Sequence, residues 1–236
     1  MYKIILALNY KVLFMNTTNP IEDLKEIRKM MEGSSRFLSL SGLSGVFAGL
    51  TGLAGTYLAY LEIDHFEKMY LTNSMAGTLK RAENNLLFKI EIMALFVLIL
   101  ALGFGIFFTW LKARKDGLKL VTPLAFRLLR SLMVPLFFGG CFVLIAVYHH
   151  MFDIVIPATL IFYGMALLNA SKYVHVDIKY LAVSEMILGL MAFATLEYTY
   201  EGLIRLLIYW GLGFGVLHIL YGAIIYFRYD YKNKNQ

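Results

Sequence analysis

Six stretches of the chain are apolar almost without interruption: 37–61, 86–110, 132–148, 152–170, 180–200 and 203–227. Each approaches the roughly 20 residues that a helix needs to cross a roughly 30 Å hydrocarbon layer. None alternates apolar and polar positions as barrel strands do, and helices or closed barrels are the structures that satisfy their backbones in lipid. The pattern predicts an all-α polytopic membrane helical bundle of about six transmembrane helices. The third run is short, and Leu124, Phe126, Leu128 and Leu129 extend it backwards. Its domains are a segment 1–36, a transmembrane domain 37–227 and a tail 228–236.

Ahead of the first run the pattern changes period. Asn19-Pro20-Ile21-Glu22 reads as a helix start, with Asn capping, Pro in the first turn and Glu reaching back. From about residue 20 to 36, Ile21, Leu24, Ile27, Met30 and Met31 share one side and charges of both signs fill the other. This predicts an amphipathic helix on the inner membrane surface, or a helix that docks a cytoplasmic protein partner. The stretch before it has an apolar core of a few residues, Ile4 to Leu8, too short for a span and without a small-residue cleavage site. Met15 is an alternative start.

Within the spans, small and polar residues fall on particular faces. In the first, Gly42, Gly45, Gly49, Gly52, Thr56 and Ala59 recur at spacings of three and four, beside Ser41, Ser44, Ala48, Thr51 and Gly55. Such a face lets helix backbones approach closely. It predicts a central packing helix or, on a sharper reading, a groove offering the hydroxyls of Ser39, Ser41, Ser44 and Thr51. In the sixth, Gly211, Gly215, His218 and Gly222 form a stripe, and in the fifth Glu185, Gly189 and Ala192 do. At about 1.5 Å per residue, Glu185 and His218 lie ~7 and ~13 Å from the same end of their runs. With Asn169 near that end of the fourth run, they form a candidate inner-leaflet polar cluster: Asn169, Glu185, His218. Ionisable groups inside a bilayer are costly and mark functional hypotheses; the plainer reading is a His218–Glu185 hydrogen bond that glues two helices. The first, fifth and sixth helices are expected at the bundle centre, and the second, third and fourth against lipid.

Charge sets the orientation. With the N-terminus inside, 17 of the 22 Lys and Arg residues fall on the cytoplasmic side and five outside. This bias predicts both termini in the cytoplasm. It also explains the net charge of +6 without nucleic acid, because the bases are spread among the inner segments beside anionic lipid. Composition agrees: 59% hydrophobic and 16% charged residues leave a soluble fold of 236 residues too much apolar surface to hide. The single cysteine, Cys141, excludes an intrachain disulfide framework.

The outer segments carry eight acids, including Glu62, Asp64 and Glu201, and three histidines. His65, His149, His150, Asp153 and Glu197 form a candidate outer rim whose imidazoles and carboxylates suit a divalent metal such as zinc. No HExxH or paired i, i+4 histidines appear, so a solvated acidic rim is the plainer reading. No nucleophile elbow, phosphate loop, dinucleotide fingerprint or haem attachment motif is present. The Gly-Phe-Gly triplets at 103–105 and 213–215 read as transmembrane packing. No cofactor is expected, and an enzyme is the less favoured class.

The stretches 132–141 (LMVPLFFGGC), 160–173 (LIFYGMALLNASKY) and 211–222 (GLGFGVLHILYG) resemble a family of six-helix inner-membrane proteins of Bacteroidota-type bacteria. The resemblance implies a bacterial inner membrane and the Met15 start, and supplies no activity. Two function classes follow from the residues: a non-enzymatic sensor, scaffold or regulatory membrane protein, and a small solute, lipid or proton carrier or channel using Glu185 and His218.

Overall fold

The computed structural model of the protein describes residues 41–72, 76–117, 121–197 and 199–231. The predicted amphipathic helix 20–36, Ser39 and both candidate starts lie outside the described residues. Those described form helices joined by short turns, with no strand among them. They are α1 (Gly42–Thr72), α2 (Ala76–Lys115), α3 (Pro123–Tyr148), α4 (Val155–Ala170, entered through a 3-10 turn Phe152–Ile154), α5 (Ile178–Ala194) and α6 (200–231). The last is continuous but not uniform. α-Helical Tyr200–Trp210 passes into a π-helical segment Gly211–Leu217, then α-helical His218–Ile225, then π-helical Tyr226–Tyr231.

Among the described residues, five helices are long and apolar enough to cross a membrane: Gly42–Thr72, Asn85–Lys115, Pro123–Tyr148, Phe152–Ala170 and Glu201–Tyr231. This fits a multi-pass membrane protein. The fifth predicted span is the exception. Its helix has 17 residues, about 26 Å at 1.5 Å per residue, at the short limit for a crossing. Leu196 and Glu197, expected to continue it, instead form the turn into α6, where the Thr199 hydroxyl accepts the Gly202 N–H at 3.0 Å and caps the next helix. At the other extreme α1 runs past its predicted end at 61 to Thr72, so Glu62, Asp64 and His65 stand on a helical extension.

Two groups of helices flank α6. On one side α1 packs against α2, where Phe47 stacks on Phe108 with ring centroids 4.6 Å apart. On the other, α4 packs between α3 and α5. α6 touches α1 along its length and also meets α4 and α5. Glycines set these distances. A Cβ on Gly42, Gly49 or Gly222 would strike backbone atoms of the opposing helix, and Gly164 and Gly189 play the same part between α4 and α5. Thus the small face of α1 is a packing face. Its hydroxyls bond to helix carbonyls, Ser44 to Ser41 and Thr51 to Phe47, each at 2.5 Å.

Two expectations need correcting. α4 is not a lipid-facing helix: Pro157, Ala158, Leu160, Gly164, Ala166 and Ala170 are buried, because its small residues are spread around the helix and admit neighbours on two sides. And the two Gly-Phe-Gly triplets differ. Gly213 and Gly215 are tightly packed, whereas a Cβ on Gly103 or Gly105 would meet nothing within 4 Å. α2 buries none of its most apolar stretch and, with α3, presents Phe96, Ile106, Phe137 and Leu144 outward, where lipid is the fitting solvent.

Both ends of the bundle are tied. At one, where most of the described Lys and Arg lie, Asp230 of α6 accepts the Gly42 N–H at 2.9 Å and pairs with Lys112 of α2 at 2.6 Å. A carboxylate at the first turn of α1 also complements its helix dipole. At the same end Asp177, beside the start of α5, binds Arg228 and Tyr229 of α6 at 2.9 and 3.0 Å, and His175 stacks on Tyr229. At the opposite end Ala59, Ile63, Leu86 and Leu207 close an apolar cluster across α1, α2 and α6.

α3 contains Pro135, which has no N–H for the Ser131 carbonyl four residues earlier. Asn169 of α4 supplies the missing donor: its Nδ2 reaches that carbonyl at 2.8 Å. In lipid no water offers a substitute. Asn169→Ala is therefore expected to cost about 1–2 kcal/mol, measured by reversible unfolding in detergent. In a Pro135→Ala background, where the backbone can supply its own donor, the cost should fall close to zero; equal costs in both backgrounds would refute this account.

Candidate functional site

The three residues of the inner cluster separate into two places. Asn169 repairs α3, as described. Glu185 and His218 do meet, because α5 and α6 bring their stripes together. Glu185 sits on the face of α5 that also buries Ala182, Gly189 and Ala192, and its side chain is 0% exposed. His218 begins the third segment of α6 and is 7% exposed. The hydroxyls of α1 do not join them; Thr56, the residue of α1 facing Gly211, bonds to its own Gly52 carbonyl at 2.9 Å.

Geometry assigns the imidazole. Its Nδ1 lies 2.9 Å from the Gly213 carbonyl oxygen, which can only accept, so Nδ1 carries a proton. Its Nε2 lies 2.8 Å from the Tyr163 hydroxyl of α4. With the ring neutral, Tyr163 donates to Nε2; with the ring doubly protonated, the hydroxyl oxygen accepts. In either form His218 is satisfied. Its ring is also held between aromatics, with Tyr163 and Phe214 centroids 5.4 and 5.9 Å away.

Glu185 is not satisfied. Among the described residues neither carboxyl oxygen has a hydrogen-bond partner. Its Oε1 is 3.4 Å from His218 Nδ1, whose proton is already directed at Gly213. The simple His218–Glu185 hydrogen bond expected from the two stripes is thus replaced by an imidazole bonded to a backbone carbonyl and a tyrosine, with a carboxyl alongside. Gly213 makes the arrangement fit: a Cβ there would lie 2.5 Å from Glu185 Oε2. An ionised carboxylate buried without a hydrogen bond is very costly, so the site calls for a compensating proton, cation or polar ligand.

Tyr163 was missed in the sequence reading. The available signal was a hydroxyl halfway along an otherwise apolar run, but nothing in its spacing points toward α6. The π-helical segment beside the site was equally hidden. Such segments are rare and frequent at functional sites. His218 sends its backbone N–H to Gly215 and its side chain to Gly213, so an imidazole enters the backbone ladder where the helix leaves α geometry.

The outer rim behaves differently. Glu62 pairs with Lys89 at 2.7 Å, Asp64 with Lys68 at 2.7 Å and Glu197 with Arg205 at 2.9 Å. These exposed pairs contribute little to stability. His65, His149 and His150 are exposed, and Asp153 is half-buried in the turn after α3. Among the described residues no three His, Cys, Asp or Glu side chains converge as a metal would require.

The adjacent histidines have a backbone role. His150 has φ 58°, and the Met151 N–H donates to Ala146 while the His150 N–H donates to Val147. This pattern ends α3 with a left-handed residue of the kind usually filled by glycine. His150→Gly is expected to stabilise the fold by about 1 kcal/mol in an unfolding measurement, by removing the strain of a side chain in that conformation; destabilisation would show that the imidazole itself is held. Comparison with family models, curated proteins and solved structures finds no match for this chain.

Proposed function

We propose that this chain is a non-enzymatic multi-pass protein of a bacterial inner membrane, with both termini cytoplasmic, that senses protonation at Glu185, His218 and Tyr163. The observation that carries the reading is the Glu185 carboxyl, wholly buried with neither oxygen hydrogen-bonded. A carboxyl that served as interhelical glue would be bonded. One left beside an imidazole is placed to gain and lose a proton. The membrane assignment is supported by the five long apolar helices, and the orientation by the bias of Lys and Arg.

A second reading, a small carrier for a proton or other small solute using the same station, draws support from one observation. The station lies where α6 joins the helix pair α1–α2 to the trio α3–α5, the seam at which two groups of helices could move against each other.

The two readings separate in one preparation of the full chain in lipid. Infrared difference spectra between acid and alkaline pH are expected to show one protonated-carboxyl band that Glu185→Gln removes; absence of that band overturns both readings. In sealed liposomes, proton flux under an imposed pH gradient that is lost in Glu185→Gln selects the carrier, and no flux above empty liposomes selects the sensor.

A further inference from the structure

We infer that the lipid-facing side of α3 holds one anionic phospholipid, with its phosphate between Arg127 and Arg130 and an acyl chain along the apolar stripe beyond them. This site is separate from the proton station and does not rest on that reading.

α3 is longer than a crossing requires. Its 26 residues make about 39 Å at about 1.5 Å per residue, against roughly 30 Å of hydrocarbon. The exposed Tyr148 suits the far interface, where amphipathic aromatic rings settle. A crossing of about 20 residues then reaches back to Leu129. Arg130 lies at the hydrocarbon edge of the basic end, and Arg127 one turn outside it. Leu124, Ala125 and Leu128 pack inward against the cluster of Val174, Ile178 and Ile225. The two arginines are exposed, beside Phe126 and Leu129, which also face outward.

Lys68, Lys89, Arg205 and Arg228 each have a carboxylate partner. Among the described residues no carboxylate pairs with Arg127 or Arg130. The helix adds charge of the same sign. Its N-terminus carries the positive end of the dipole, and its first turn holds no acid. Side chains on a helix lean toward its N-terminus, which carries both guanidinium groups from the hydrocarbon toward the headgroups. A base that only sets topology has no need of this place inside a helix, on its lipid side, because such bases act equally well from a loop. A phosphate diester answers the excess, since a guanidinium offers paired N–H donors that match two phosphate oxygens. The apolar stripe continues the site into the bilayer. Val134 lies seven residues beyond Arg127, and Phe137 and Leu144 lie seven and fourteen beyond Arg130, about two helical turns at each step and so on one face. All three are exposed, giving an acyl chain an unbroken apolar track. A zwitterionic headgroup would bring a cation of its own to a place that already holds two, so an anionic lipid is favoured.

The test is native mass spectrometry of the full chain in detergent with equal amounts of phosphatidylglycerol and phosphatidylcholine. The expected result is one phosphatidylglycerol retained per chain in preference to phosphatidylcholine, undisturbed by excess inorganic phosphate. Arg127→Gln with Arg130→Gln should weaken its affinity about tenfold, and Arg127→Lys with Arg130→Lys, which keeps the charge but loses the paired donors, roughly threefold. Lys115→Gln with Lys179→Gln removes the same charge from exposed positions at the same end and should change nothing. A phosphatidylglycerol with a diazirine in its acyl chain should crosslink to α3 between Met133 and Ile145 in preference to α2, which is equally apolar and exposed. Equal losses in the two Gln pairs, or full affinity in the Lys pair, reduce the arginines to diffuse charge and overturn the site. Equal retention of phosphatidylcholine overturns the choice of lipid, and displacement by inorganic phosphate overturns a lipid occupant altogether. Crosslinks spread evenly over α2 and α3 overturn the location.

Discussion

Backbone against backbone, α1 and α6 meet with almost nothing between them. Gly42 and Gly45 face Gly222, and Gly49 faces Gly215; a Cβ on Gly42, Gly49 or Gly222 would strike main-chain atoms of the opposing helix. Lipid tails are as apolar as leucine, so helices in a membrane gain nothing by hiding apolar surface from water; dense van der Waals contact and polar bonds must hold them. The rest of the architecture depends on this seam. It fixes α6 against the α1–α2 pair and lets its other side reach α4 and α5, which are held together by Gly164 and Gly189. It also brings the tail of α6 to the α1 start, where Asp230 meets the Gly42 N–H.

Once helices are this close, the accounting of backbone groups decides where polar side chains go. Pro135 frees one carbonyl in α3, and Asn169 closes it. His218 takes another carbonyl in α6, and there the helix changes pitch. The same physics yields opposite consequences. The asparagine restores a regular bundle, whereas the histidine leaves a carboxyl beside it without a bond. A carboxyl that is buried and unbonded is costly when ionised, which is why the proposed function rests on Glu185 rather than on Asn169.

The two ends of the bundle divide along similar lines. Acids on the α1 extension and around α6 are matched with nearby bases at the surface, where water screens them and little depends on any one pair. At the basic end Asp230 and Asp177 are largely buried, each gathers more than one donor, and between them they link α6 to α1, α2 and the start of α5.

Local pattern was enough to establish the helical class, most span positions, the small faces of α1 and α6, and the likelihood of contact between the Glu185 and His218 stripes, since hydropathy and period-3.6 spacing are properties of single segments. The early end of α5 was not legible, because its last expected residues are apolar enough to continue a helix and stop only where the chain must turn to cap α6. Nor was the central place of α4, whose buried small residues lack a single stripe and gain meaning from two neighbours at once. Tyr163, the clamp at Asp230 and the repair of Pro135 by Asn169 join residues 55, 188 and 38 positions apart. The sequence by itself determined which faces could pack closely in lipid. Tertiary structure alone decided which carbonyl each polar side chain would find, because a hydrogen bond needs a partner within about 3 Å, and that distance is set by how the helices meet.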